Sequence, residues 1–129
     1  MLASSPVMTM LPVKDIERAR DFYVNKLGLK AVGLAADGKF VVQANGTQFG
    51  LVPKPEGTKA EHTAVGFEVK DLAAAIRSLK KHGVEFKDYD FPGFKTVDHM
   101  IELGTDKAAW FGDNEGNILC IHQGLRKRA

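Results

Sequence analysis

Hydrophobic and polar positions along the chain run through the same pattern twice. Residues 7–13 are a short apolar run and predict a first strand. Asp15 then caps a helix reaching about Leu27, with Ile16, Ala19, Tyr23 and Leu27 at helical spacing on one face. Gly28 stands where such a helix should stop. Residues 29–36, 39–44 and 47–53 read as three strands, separated by the hairpin turns Asp37-Gly38 and Asn45-Gly46.

After a polar stretch rich in Pro, Gly and Lys, the pattern restarts. Residues 62–69 predict a strand. Asp71 caps a helix to about His82 with Leu72, Ala75, Ile76 and Leu79 inward, Gly83 stops it, and residues 84–89 form the next strand. The repeat holds residue by residue. Val13-Lys14-Asp15 matches Val69-Lys70-Asp71, Ile16 matches Leu72, and Ala19 matches Ala75. Gly28 corresponds to Gly83 with one residue of slip, and Asn45-Gly46 to the turn at Gly116. The chain therefore reads as one domain over residues 1–129, built of two βαβββ units. The first unit spans 6–53, the linker 54–61 and the second unit 62–123. The fold class is α+β.

The second unit carries an insertion. Phe91-Pro92-Gly93-Phe94 reads as an aromatic loop, which either borders a pocket or covers core surface. Residues 96–103 are expected to add a strand before the final hairpin. In that hairpin, strands at 107–113 and 118–123 flank the polar turn Asp113-Asn114-Glu115-Gly116-Asn117. Trp110 has two open facings. Paired with Cys120 it points into the sheet's inner face; one residue of slip turns it to the helices.

Composition narrows the picture only by exclusion. A net charge of +2 is too small to argue for nucleic acid or a membrane surface, and the basic tail Arg126-Lys127-Arg128 reads as solvated. No apolar run approaches the ~20 residues that span a bilayer, and residues 1–6 lack the features of a signal peptide. The single cysteine excludes an intrachain disulfide and suits a reducing cytoplasm, the expected location. Serines 4, 5 and 78 lie in no nucleophile elbow, and neither a Walker loop nor a dinucleotide glycine fingerprint is present. Glu68, Asp98, Glu102 and His99 read as solvated surface groups, and Cys120 as a small core residue.

Phe111-Gly112-Asp113-Asn114-Glu115-Gly116-Asn117 followed by an apolar strand resembles the F-x-D-P-x-G-N signature of the vicinal oxygen chelate superfamily, with Asn114 in place of the proline. That superfamily embraces glyoxalase I, extradiol dioxygenases, and fosfomycin- and bleomycin-resistance proteins. The resemblance implies a cupped mixed sheet with helices outside and a divalent metal inside, held by up to four side chains from the first and fourth strands of each unit. The segment Ala64-Val65-Gly66-Phe67-Glu68-Val69-Lys70-Asp71 fits the family's H-x-x-F-x-V-x-D pattern and puts Ala64 at the histidine position. The repeat makes Met8 its partner, and counting from the turn glycines gives Gly50 and Cys120. Of these four only Cys120 is a plausible ligand, so the resemblance implies that the family metal has been lost and that no cofactor remains.

An alternative donor set, His62, Cys120 and His122, shares an inward face if the strands are regular. Each histidine is displaced about 6–7 Å along its strand from the family position. Two function classes follow. The first is a metal-independent binding protein of the bleomycin-resistance type, holding an organic ligand, aromatic or otherwise, with Met8, His62, Ala64, Phe94, Trp110, Cys120 and His122, helped by Met10 and Phe91. The second is a metal-dependent glyoxalase-like lyase or isomerase, or a dioxygenase, using the non-inherited set. No catalytic residue can be assigned. The resemblance also implies a homodimer, with a small-molecule ligand as the other partner.

Overall fold

The structure is a computed structural model describing residues 2–124. The tail Arg126-Lys127-Arg128 lies outside the described residues. Two compact units divide the chain between Lys59 and Ala60.

In the first unit, β1 (Thr9–Val13) leads to α1 (Ile16–Arg20), whose first turn is capped by Asp15 accepting from the Arg18 amide. The helix then widens into a π-helical turn over Asp21–Lys26, where the Leu27 amide reaches back to the Phe22 carbonyl at 3.0 Å. A single regular helix to Leu27 was expected, so this is a correction, although Ala19 and Tyr23 do face inward and are fully buried. The strands β2 (Lys30–Leu34), β3 (Phe40–Ala44) and β4 (Thr47–Pro53) complete a sheet in the order β1-β4-β3-β2. Asn45 and Gly46, with φ of 48° and 79°, make the tight β3–β4 turn their residue types favour.

The second unit repeats this plan. Its strand β5 (Thr63–Glu68) precedes α2 (Leu72–Lys81), which Asp71 caps through the Ala74 amide as Asp15 caps α1. Gln123 accepts from the Leu72 amide at 2.8 Å and ties the helix start to the last strand. After β6 (Phe86–Lys87) come β7 (Asp90–Phe91), β8 (Phe94–Lys95) and β9 (Ile101–Leu103), then β10 (Asp106–Gly112) and β11 (Ile118–Gly124). The sheet order is β5-β11-β10-β6, with β9 also on β10. The first strand of each unit runs parallel to the last, pairing Met10 with Gly50 and Gly66 with Cys120. The internal correspondence thus survives in register as well as in sequence.

The insertion differs from its expectation. Residues 96–103 yield only the three-residue β9, and 84–89 only the two-residue β6. The aromatic loop is itself a hairpin, and among the described residues β7 pairs with β8 alone. Val97 and Met100 bridge around Asp98 and His99, both at positive φ.

Each unit has its own core. Leu11, Val13, Tyr23, Phe49 and Leu51 fill the first. Leu72 and Ile76 of α2 cover Ala109, Phe111, Leu119 and Ile121 in the second, all nearly inaccessible. Alternation along β10 and β11 sends Ala108, Trp110, Cys120 and His122 to the opposite face.

Candidate functional site

The turn between β10 and β11 decides what that opposite face presents. Asp113 Oδ1 accepts from the amides of Glu115 (2.8 Å) and Asn117 (2.9 Å), and its Oδ2 from Asn117 Nδ2 (2.9 Å). Gly116 takes the positive φ, 93°, that closes the loop. With that length of turn, Trp110 pairs with Cys120. Of its two possible facings, the indole therefore takes the one away from α2.

There Trp110 joins an aromatic cluster. Tyr89 meets its ring edge-on at 5.9 Å, Phe94 lies tilted against it at 5.6 Å, and Tyr89 and Phe94 touch each other at 5.7 Å. Phe91 stacks on Phe94 at 5.2 Å, nearly parallel, and is 53% exposed. Trp110 Nε1 donates to Thr63 Oγ1 at 3.1 Å, which fixes the plane of the indole. That contact depends on a bulge in β5, where the register shifts between Ile118 and Leu119 and brings Thr63 to the face of Ile118.

The remaining expected site residues separate into groups. Cys120 is buried opposite Trp110, and His122 lies two residues further on the same face. The His122 ring runs over Gly66, where an added Cβ would meet its Cδ2 at 3.7 Å. Half-buried Ala64 sits at the bulge. His62 precedes β5 and is exposed, because the bulge breaks the alternation that would have carried it inward. Met8 belongs to the first unit, half-buried just ahead of β1. Sequence reasoning missed Tyr89 and Thr63. The clustering of Phe86, Tyr89, Phe91 and Phe94 was a usable signal for the first; Thr63 had none, since its role comes from the bulge.

These residues do not fit a divalent metal. Among the described residues, no three His, Cys, Asp or Glu side chains are grouped to hold one, so the alternative set of His62, Cys120 and His122 is not assembled. At Gly50 the Lys39 stem occupies the space of a side chain, with Lys39 Cδ 2.8 Å and Met10 Sδ 3.1 Å from an added Cβ. Lys39 is pinned there by its 2.7 Å ion pair with Asp37.

Burial pushes the Cys120 thiol up to about 11, opposed only by a backbone hydrogen bond from Ala109. Burial, and then the neighbouring Cys120, also raise Tyr89. The thiol is therefore protonated at neutral pH and is not a ready nucleophile. Alkylation by iodoacetamide at pH 8 should be at least tenfold slower in the native protein than in urea. The unfolded thiol ionises from about 9.0 and the folded one only near 11, so this group should make stability fall as pH rises through that interval. Chemical denaturation of wild type and Cys120→Ala at pH 8 and pH 10.5 checks the sign: the difference between them should shift against wild type at the higher pH.

Comparisons with known proteins agree with this fold. The family description Glyoxalase/Bleomycin resistance protein/Dioxygenase superfamily matches residues 5–121. Among solved structures, TnmS3, an antibiotic binding protein from Streptomyces sp., is 25% identical with a TM-score of 0.75, covering 96% of this chain and 98% of that one. A superfamily member from Sphaerobacter thermophilus is 24% identical with a TM-score of 0.73, covering 95% and 99%. A glyoxalase/bleomycin resistance protein from Streptomyces sp. is 25% identical with a TM-score of 0.68, covering 92% and 100%. No curated protein matches the chain. Among the described residues, no helix is long and apolar enough to cross a membrane.

Proposed function

The chain belongs to the glyoxalase/bleomycin resistance protein/dioxygenase superfamily, and from that premise we propose that it is a metal-independent small-molecule binding protein. The ligand is organic and aromatic, and it rests on the face of the second unit built by Trp110, Phe94 and Phe91. The observation that carries this reading is the cluster of touching rings on that face, with Phe91 left 53% exposed. Aromatic faces left partly open to solvent attract flat apolar molecules through area burial and offset stacking. The family's metal positions support it too, since Met8, Gly50 and Ala64 offer no oxygen or nitrogen donor, which leaves Cys120 alone among the four. The antibiotic-binding role of TnmS3 is a further support.

In this reading Cys120 and His122 border the ligand rather than hold an ion, and His62 lies at its margin. The protein works in the cytoplasm as a homodimer, in keeping with the family resemblance and a single cysteine.

Thermal denaturation against a panel of planar aromatic compounds tests the reading, with Ni, Co, Zn, Mn and Fe(II) run in parallel. At least one aromatic compound should raise Tm by several degrees at a hundredfold excess over its Kd, and no metal should. Stabilisation by a divalent ion at stoichiometric concentration, with none by any aromatic compound, would overturn it and restore metal chemistry as the function.

A further inference from the structure

We propose that Thr96, with Asp88 and His99, positions the aromatic face: these residues hold Tyr89 and Phe94 against Trp110 and so set how tightly the face binds. The inference rests on the reading of that face as a ligand site.

The rings come from an arm that the main sheet does not hold. Among the described residues, strands β7 and β8 pair only with each other, around the exposed Pro92-Gly93 tip. The arm is closed at its neck, where the Thr96 amide donates to the Tyr89 carbonyl at 2.9 Å and the Tyr89 amide donates to Thr96 Oγ1 at 3.0 Å. Thr96 Oγ1 in turn donates to Asp88 Oδ1 at 3.1 Å. The hydroxyl is thus used in both directions within a buried residue, 9% exposed.

Asp88 is the node that ties the neck to the body of the unit. His99 Nδ1 lies 3.0 and 3.1 Å from its two oxygens. The His99 ring stacks on Phe86 at 5.6 Å, and Phe86 packs edge-on against core Phe111 at 5.5 Å. On its other side His99 Nε2 is 3.3 Å from Lys80 Nζ of α2. That contact makes Nε2 the acceptor and Nδ1 the donor to Asp88. The His99 bond first, then Thr96, hold the Asp88 carboxyl below its ordinary value, so the node stays charged through neutral pH. The Val97–Met100 bridge, with Asp98 and His99 at φ of 52° and 70°, aims the imidazole at Asp88. The line of contact runs from α2 and Phe111, through His99, Asp88 and Thr96, to the backbone of Tyr89. The Tyr89 ring then touches Phe91, Phe94 and Trp110.

Two substitutions at one position separate the hydroxyl from the shape. Thr96→Val keeps the volume and loses both hydroxyl bonds; Thr96→Ser keeps both bonds. Because Trp110 is the single tryptophan, acrylamide quenching of its fluorescence reports ring packing without any ligand. In Thr96→Val the quenching constant should rise about twofold, and the affinity for anilinonaphthalene sulfonate should fall on the order of tenfold, the loss of about one hydrogen bond's worth of ordering. Thr96→Ser should match wild type in both. His99→Phe keeps the stack on Phe86 but removes the bond to Asp88, at a side chain that is only partly buried, so it decides the matter if Thr96→Val does not fold. It should move both readouts the same way by a smaller factor. Unchanged quenching in Thr96→Val, or in His99→Phe where that variant decides, overturns the inference. A wild type that binds neither anilinonaphthalene sulfonate nor any compound of the aromatic panel defeats the ligand reading instead, and the quenching comparison still decides the positioning.

Discussion

Replacing Asp113 by alanine is expected to cost the second unit about 2–4 kcal/mol of stability. The Asp113 side chain accepts three hydrogen bonds within the β10–β11 turn, two of them from Asn117. Asn117 is 2% exposed, so donors released by the substitution have no water to turn to. The same turn sets the length of the connection, hence the pairing of Trp110 with Cys120. Asp113→Asn retains one acceptor oxygen and should lose roughly half as much. Urea denaturation followed by far-UV circular dichroism measures both variants. A loss below about 1 kcal/mol for Asp113→Ala would mean that backbone and packing hold the turn without the carboxylate.

Replacing Trp110 by alanine should abolish measurable binding of the best aromatic compound, a loss on the order of a hundredfold. The indole is the one ring in contact with both Tyr89 and Phe94 that is seated on the main sheet itself, and Thr63 holds its plane. Truncation removes the floor on which a flat ligand would lie and leaves Tyr89 and Phe94 without their indole contact. Stability should also drop by about 2–3 kcal/mol, less than for a fully enclosed ring because Trp110 is only half-buried. Thr63→Val keeps the ring and frees its orientation; it should weaken binding severalfold with little effect on stability. Isothermal titration calorimetry beside urea denaturation separates the two effects. Full affinity in Trp110→Ala would move the ligand off this face.

How far each feature could be read from the sequence follows from the range of the interactions behind it. Asp15 and Asp71 announce their helices because a cap acts on an amide three residues away. Asn45-Gly46 announces its hairpin because positive φ is a property of those residues themselves. The duplication was legible for the same reason, each unit repeating the same short-range instructions. The widening of the first helix at Asp21–Lys26 and the shortness of β6 and β9 were not, since neighbouring strands and rings decide them.

The candidate site divides along the same line. The sequence by itself determined that the positions where the family places its ligands carry Met8, Gly50, Ala64 and Cys120, because counting from a repeat and a turn needs no coordinates. It also named Trp110 and Phe94. Only the tertiary structure decided which way Trp110 faces, since side chains alternate along a strand and a single residue of register reverses the answer. Only the structure turned His62 outward and brought Thr63 to the face, because one bulge in β5 shifted the alternation on which the sequence argument relied. The joining of Tyr89, Thr96, Asp88 and His99 rests on contacts across a folded-back arm, and no local pattern encodes those. Short-range backbone chemistry is written residue by residue; the convergence of side chains on one face is a property of register and packing.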